Sequence, residues 1–267
     1  MQTIFITGAS SGLGKATAKL FQSKGWKVIA TMRQPEKETE LTALENVSVL
    51  PLDVTNDVQI EATVQEVLES AKIDVVFNNA GYGLGGALEA CTDSQITDQI
   101  NTNLTGVLRV SKAFIPYFRQ QRSGLFITTT SVFGFSACPL SSVYNATKWA
   151  LEGWSESMAY ELAPFNITVK TVAPGGIKSS FVGNMQATVT HEYDSLSSRM
   201  NNLFADGTLI EFTEAERIAE VVYEAATDGK DQLRYLAGND AIRIAEQRQQ
   251  MGTEGYRKYL TQLLTVS

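Results

Sequence analysis

The chain has 267 residues, 43% of them hydrophobic, with a formal net charge of −7, one histidine and two cysteines. The acidic balance argues against general nucleic-acid binding, whose footprint is a basic patch. Two cysteines make no disulfide framework, and a lone histidine, His191 in a polar loop-like stretch, is a poor basis for a Ser-His-Asp hydrolase.

Thr3-Ile4-Phe5-Ile6-Thr7 is a short apolar, β-branched run that reads as a buried strand. It starts too early to leave room for a basic signal-peptide region. No apolar run approaches the ~20 residues of a membrane span. Cys91 and Cys138 lack metal-ligand spacing, so no metal is expected. A cytoplasmic protein with free thiols and no membrane or nucleic-acid partner is the simplest expectation.

The strand leads into Gly8-Ala9-Ser10-Ser11-Gly12-Leu13-Gly14, then into Lys15 to Phe21 with helical spacing. Strand, glycine loop and helix in this order are the setting of a dinucleotide site. Gly8 allows a sharp turn. Gly12 and Gly14 let backbone approach a diphosphate and let the helix pack on the strand. The helix N-terminus offers N–H groups and a positive dipole end to phosphate. A bare glycine cluster would be only a tight turn.

Val28 to Thr31 reads as the second strand, ending at Met32-Arg33. An acidic residue that would hold an adenosine ribose 2′-hydroxyl is expected near this point. Arg33 stands there beside Met32 instead, and a guanidinium suits a 2′-phosphate. NADP(H) is therefore preferred, with NAD(H) possible. The alternative is that Arg33 is a solvated strand-end charge.

Strand-like runs at Val75 to Phe77, Leu125 to Thr128 and Thr168 to Val172 alternate with helical stretches, and no linker interrupts them. This alternation predicts one α/β domain over 1–267, a Rossmann-type doubly wound parallel sheet with helices on both faces. Ligands then sit at the carboxyl ends of the strands. Gly8, Asn78, Ser131 and Pro174 all follow strands.

Tyr144 and Lys148 lie four residues apart in a helical stretch, so both project from one face. Unperturbed tyrosine titrates near pH ~10. An ammonium at about 4 Å is worth roughly 4 kcal/mol at an effective dielectric of ~20. That charge predicts a phenol lowered by roughly two to three pKa units. Taken alone, such a pair is as well explained by a buried ring and a solvated charge.

Taken together, these pieces resemble the short-chain dehydrogenase/reductase family, in its short single-domain branch. Thr7 to Gly14 matches the Thr-Gly-x-x-x-Gly-x-Gly loop. Asp53, followed by Val54, resembles the aspartate at the adenine ring. Asn78-Asn79-Ala80-Gly81 matches the segment after the fourth strand. Asn103, Ser131, Tyr144 and Lys148 match the catalytic asparagine, serine and Tyr-x-x-x-Lys pair. Pro174-Gly175, with Ile177 and Ser179 after it, resembles the segment near the nicotinamide, and Leu233 to Leu236 with Gly238 resembles the last strand.

The resemblance implies a hydride transfer between NADP(H) and a ketone or secondary alcohol. Tyr144 would be the acid or base, and Ser131 would hold the same oxygen. Lys148 would lower the phenol pKa and hold the nicotinamide ribose. Asn103 would disrupt its helix so that a carbonyl can hold a water. The implied cofactor contacts come from Gly8, Ser10, Ser11, Gly12, Leu13 and Gly14, from Arg33, Asp53 and Val54, from Asn79, Ala80 and Gly81, and from Tyr144, Lys148, Pro174, Gly175, Ile177 and Ser179. A homodimer or homotetramer is implied by analogy.

Gly176 to Thr213 is a long mixed stretch that in the family forms a substrate lid. Its apolar residues, such as Phe181, Val182, Met185 and Phe204, line a pocket or else pack short helices on the sheet. Other pocket candidates are Tyr82, Leu84, Phe133, Cys138 and Gly176. This apolar lining without a basic cluster fits a neutral, fairly bulky carbonyl substrate. The tail from Ile242 to Leu264 reads as two helical stretches broken between Gly252 and Gly255, covering the cleft or a partner subunit. A non-catalytic NADP(H)-binding redox sensor, or an epimerase or dehydratase on the same fold, would be the alternatives.

Overall fold

The expected first strand forms as β1 (Thr3–Thr7), with all five residues buried. A strand covered on both faces needs no polar alternation, which is why its sequence reads as a continuous apolar run. The computed structural model describes residues 1–179, 186–188 and 190–265. In chain order β1 is followed by α1 (Gly12–Ser23), β2 (Lys27–Met32), β3 (Val47–Pro51), α2 (Asp57–Ser70), β4 (Val75–Asn78), the short β5 (Leu84–Gly85), α3 (Asp93–Ile100) and α4 (Gly106–Gln121). Then come β6 (Gly124–Thr129), α5 (Ser142–Leu162), β7 (Ile167–Pro174), the short β8 (Gly176–Lys178) and β9 (Gln186–Ala187). The last elements are α6 (Asp194–Ala205), β10 (Phe212–Glu214), α7 (Ala215–Thr227), β11 (Arg234–Ala237) and α8 (Asn239–Thr265).

Seven strands form one parallel sheet in the order β3-β2-β1-β4-β6-β7-β11. Helices cover both faces. On one face α1 packs on β1 and β2 and α7 on β6, β7 and β11, burying Ala18, Phe21, Ile218 and Val222. On the other, α2, α4 and α5 bury Val64, Phe114, Phe118 and Leu162 against Phe5 and Phe126. This is the doubly wound Rossmann-type sheet that the alternation predicted. The strand order reverses direction of growth between β1 and β4, so a crevice opens at their carboxyl ends.

Local signals place the helix starts. Asn56 caps α2 by accepting from the Gln59 N–H at 3.0 Å. Thr92 and Gln95 form a reciprocal capping box at α3. Pairing with neighbours lengthens some strands beyond their apolar runs. β7 continues to Pro174 because Pro174 lies opposite Ala237 of β11. In α8 the helical path breaks at Gly252 alone (φ 66°, ψ 174°).

A third apolar cluster lies beyond the carboxyl ends of β6 and β7. Val132, Ile210, Ala241, Ile244 and Tyr256 form its core, with Phe133, Phe204 and Leu260 packed against them. It roofs the region after Ser131.

Candidate active site

The glycine loop is held against the loop after β4. The Thr7 hydroxyl accepts from the Asn79 and Ala80 N–H groups at 3.0 and 3.1 Å. The Asn79 side-chain amide donates to the Thr7 and Gly8 carbonyls, both at 3.1 Å. Gly8 has φ 68°, and a Cβ there would lie 2.7 Å from Ala80 Cα. A Cβ on Gly14 would run into the Gly8 carbonyl. These glycines are therefore required by close backbone approach.

The same close approach leaves a cradle at the start of α1. Ser11 is the N-cap, but its side chain does not cap the helix, and no acidic residue occupies the first turn. With no acidic side chain there, the N–H groups and dipole of α1 suit an anion, and the glycine loop fits a dinucleotide diphosphate. Ser10 and Ser11 are exposed there, whereas Leu13 is buried in the core and offers only backbone. Ser179, beyond β8, lies beside Gly12, with its Cβ 3.2 Å from where a Gly12 Cβ would be. Ile177 is half-buried and packs against the core.

On the β2 side, Met32 is buried and Arg33 is exposed. Arg33 forms no ion pair with a described residue. The chain just after it is tied back to α1 by the buried Glu38, which meets the Lys15 ammonium at 2.9 Å. Asp53 is engaged in its own turn, accepting from the Thr55 N–H at 2.9 Å and its hydroxyl at 2.7 Å. Val54 is buried against Gly106.

The centre of the crevice brings together Ser131, Tyr144 and Lys148. Ser131, just past β6, is buried and its hydroxyl accepts from the Phe133 N–H at 3.1 Å. It also shares a hydrogen bond with the Tyr144 hydroxyl. Lys148 is buried one turn along α5, with Nζ 5.7 Å from the Tyr144 ring centroid. Its ammonium donates to the Thr129 carbonyl at 2.8 Å.

The electrostatics correct one expectation. Burial pushes the Tyr144 phenol up to about 12, with the Ser131 hydrogen bond pulling the other way. Burial also pushes Lys148 down to about 8, against the pull of Glu152 one turn further on. The sequence-based estimate of a phenol lowered by the lysine counted the charge and left out desolvation, which here is the larger effect.

Asn103 sits in one π-helical turn, Asn101–Thr105, between α3 and α4. It is 1% exposed, so its amide must be satisfied internally. Its Oδ1 accepts from the Tyr82 N–H at 3.0 Å and its Nδ2 donates to the Tyr82 carbonyl at 2.8 Å. Gly81, exposed, lies directly over the Asn103 amide. Gln99, which no motif singles out, is fully buried and donates to the same Tyr82 carbonyl at 2.9 Å. The backbone after Asn79-Ala80-Gly81 is thus clamped from α3 and the π turn. The Tyr82 phenol stands near Asp98 and Arg33, towards the β2 side, and burial raises its pKa.

On the other side, the Phe133 ring meets the Tyr144 ring edge to face, with centroids 6.5 Å apart. Phe133 and Cys138 line a cavity of about 20 Å³ with Leu209, Ile244, Tyr256 and Leu260. Burial pushes the Cys138 thiol up to about 12, which leaves it an inert apolar wall. The Tyr256 hydroxyl bonds Ser136, tying α8 to the segment after Ser131. Phe204 packs on this cluster, and Leu84 is buried in β5. Gly176 is not a pocket wall. It is buried behind Ile210, and a Cβ there would run into that side chain. Met185, Phe181 and Val182 lie outside the described residues.

Other chemistries find no support in the described residues. The His191 side chain is exposed and lies 3.2 Å from Asp194, while Ser131 bonds Tyr144. No cluster of His, Cys, Asp or Glu among them could hold a metal ion. No described helix is long and apolar enough to cross a membrane.

Comparison with known proteins agrees with this geometry. A family model described as short chain dehydrogenase matches residues 2–190. A 3-ketodihydrosphingosine reductase of Bacteroides thetaiotaomicron is 41% identical over 184 residues, covering 68% of this chain and 66% of the reductase. An oxidoreductase of Botryotinia fuckeliana is 37% identical over 247 residues, covering 90% of each chain. A short-chain dehydrogenase from Streptomyces avermitilis superposes with a TM-score of 0.84 at 28% identity, covering 98% of this chain and 95% of its own. ElxO with NADP bound superposes with a TM-score of 0.75 at 27% identity, covering 88% of this chain and 97% of its own. With Ser131, Tyr144 and Lys148 gathered in a crevice at the sheet's reversal point, the chain belongs to the short-chain dehydrogenase/reductase family of oxidoreductases.

Proposed function

We propose that this protein reduces a neutral, bulky ketone with NADPH, or runs the reverse oxidation of the secondary alcohol. The observation that carries this reading is the Ser131–Tyr144 hydrogen bond, with the buried Lys148 ammonium one turn from the same ring. When bound, a nicotinamide cofactor supplies the hydride.

Tyr144 is the proton donor. A phenol held near 12 is fully protonated at neutral pH, as an acid for carbonyl reduction must be. Ser131 donates to the same carbonyl oxygen and fixes its position as charge develops there. When Tyr144 gives up its proton, the nearby lysine charge stabilises the phenolate in a buried, low-dielectric place. Below about pH 8 Lys148 carries that charge. The glycine loop and the N-terminus of α1 would hold the diphosphate.

Arg33 supports the NADP(H) preference: it is exposed, unpaired among the described residues and set at the end of β2. A neighbour that binds NADP, ElxO, is consistent with this. The apolar character of Phe133, Cys138, Ile244, Tyr256 and Leu260 beside Tyr144 supports an uncharged substrate. Relatives named as a 3-ketodihydrosphingosine reductase and as retinol dehydrogenase 8 of Homo sapiens point to a ketone and an alcohol.

The test is a panel assay. Oxidation of NADPH and NADH is followed with aryl ketones, long-chain 3-keto compounds, ketosteroids and charged keto acids. Turnover of an apolar ketone with NADPH favoured is the expected result. No carbonyl-dependent oxidation of either nucleotide across the panel would overturn the reading.

A further inference from the structure

Asp240 opens α8 and is 0% exposed, yet it takes no part in the proton chemistry above. We propose that its carboxylate is a positioning residue for the cofactor, anchoring the strap of chain that runs from Gly175 along β8 to the glycine loop. The proposal rests on the nicotinamide-cofactor reading of the crevice.

One oxygen of Asp240 ties two strand roots together. Oδ2 accepts from the Gly176 N–H at 2.8 Å and from the Glu211 N–H at 3.3 Å. Gly176 begins β8, and Glu211 immediately precedes β10, its parallel partner. Oδ1 accepts from the Ala241 N–H at 2.9 Å. The other end of the strap reaches Ser179, beside Gly12 of the glycine loop. The strap is therefore fixed at Asp240 and lies over the nucleotide cradle at its far end.

Two glycines clear the space for this carboxylate. A Cβ on Gly175 would run into it, and a Cβ on Gly238, which has φ 107°, would lie 2.8 Å from Oδ1. The glycine of the Pro174-Gly175 pair is thus explained by the carboxylate behind it, without invoking the nucleotide in front. Arg243, one turn along α8, donates to the Thr208 carbonyl at 2.9 Å and the Leu209 carbonyl at 3.3 Å. α8 thereby grips the limb leading into β10 by its carbonyls as well as its N–H groups. Burial raises the Asp240 pKa while the three N–H donors pull it back, as expected of a carboxylate kept for its contacts.

A purely structural aspartate would change heat stability and leave cofactor affinity alone. An anchor of the strap would separate cofactor affinity from turnover. NADPH and NADH binding are titrated by fluorescence on the full chain, beside steady-state kcat and the KM for NADPH. Asp240→Ala is expected to weaken NADPH binding by at least about tenfold, the effect of removing a charge-assisted hydrogen bond. Its kcat at saturating NADPH should fall much less. Asp240→Asn, whose single carbonyl oxygen can take the Oδ2 place, should fall between the two. Unchanged NADPH affinity in folded Asp240→Ala overturns the anchor, even if the variant melts earlier.

Amide hydrogen exchange on the unaltered protein covers the case in which Asp240→Ala fails to fold. The Gly176 and Glu211 amides should exchange as slowly as those of β7, and more slowly still with NADPH. Exchange at the rate of an exposed loop would reject the proposal. Binding of neither nucleotide by the unaltered protein would overturn the cofactor reading and this role with it, an outcome distinct from failure of the anchor alone.

Discussion

The Lys148 ammonium is 2.8 Å from the Thr129 carbonyl, at the last residue of β6. The sheet itself therefore aims the charge at Tyr144, and no second side chain need hold it. The position is costly, because burial pushes Lys148 down to about 8 from 10.5. A lysine whose folded pKa is lowered opposes folding fully below the folded value, and the penalty is relieved as pH rises towards the unfolded value. Lys148→Met should thus gain melting temperature relative to the parent at pH 7, by roughly 2–4 °C per kcal/mol relieved. That gain should shrink between pH 8 and 10.5, while activity is lost at every pH. A melting difference that is flat across this range would contradict the assigned pKa direction.

Tyr144→Phe removes the proton donor and little else. Turnover should fall by about 100-fold or more, the usual worth of a positioned acid. NADPH affinity should stay close to that of the parent, as measured by fluorescence titration. A Phe variant with most of its activity would end the mechanism.

Reduction and oxidation should diverge with pH. Tyr144 stays protonated up to about 12, so the acid is never limiting below that. The reductive rate should be level from pH 6 and decline above about 8, as Lys148 loses its proton. The oxidative rate, which needs a phenolate, should climb with pH. Profiles of kcat/KM in both directions check this, and a reductive rate that climbs above pH 8 would be incompatible with it.

Arg33→Ser tests nucleotide choice. The variant should lose about tenfold or more in kcat/KM with NADPH, the effect of removing one charged hydrogen-bonding partner, and little with NADH. Equal losses with both nucleotides would show that Arg33 does not read the 2′-phosphate.

Far from the crevice, Lys170 is buried between Asp228 (2.9 Å), the Ala225 carbonyl (2.9 Å) and the Tyr235 hydroxyl (3.0 Å). These contacts lock α7 to β7 and β11. Desolvation raises the Asp228 pKa, but its bonds to Lys170, the Lys230 N–H and Tyr235 win and hold it well below the usual carboxylate range. Its depressed pKa gives stability above the unfolded value that is lost as pH falls through the folded one. Asp228→Ala leaves Lys170 unpaired and should cost about 3–5 kcal/mol, on the order of 10 °C in melting temperature. Calorimetry at pH 7 measures it, and a shift of a degree or less would deny the network its role.

The parts of the site written as local strings were legible in the sequence. Gly8 to Gly14, Asn78 to Gly81 and the Tyr144–Lys148 pair each lie within one loop or one helical turn, so their match to family motifs can be read along the chain. Pairings between distant residues were not legible. Asp240 meets Gly176 across 64 positions, and Glu38 meets Lys15 across a whole strand. Neither acid differs in sequence from an ordinary helix-start or loop charge. The direction of the Tyr144 shift was also out of reach, because burial depends on the packed helices around it.

Gly252 is the one point where α8 leaves its helical path, and nothing lies within 4 Å of where its Cβ would be. Its glycine is therefore a matter of backbone angle, not of room. The bend turns the final stretch of the chain back onto Ser136 and Phe133 through Tyr256 and Leu260. Ile244 before the bend and Tyr256 and Leu260 after it line the same small cavity behind Phe133. A substitution at Tyr256 or Leu260 therefore reshapes the wall behind Phe133 from a part of the chain that carries none of Ser131, Tyr144 and Lys148.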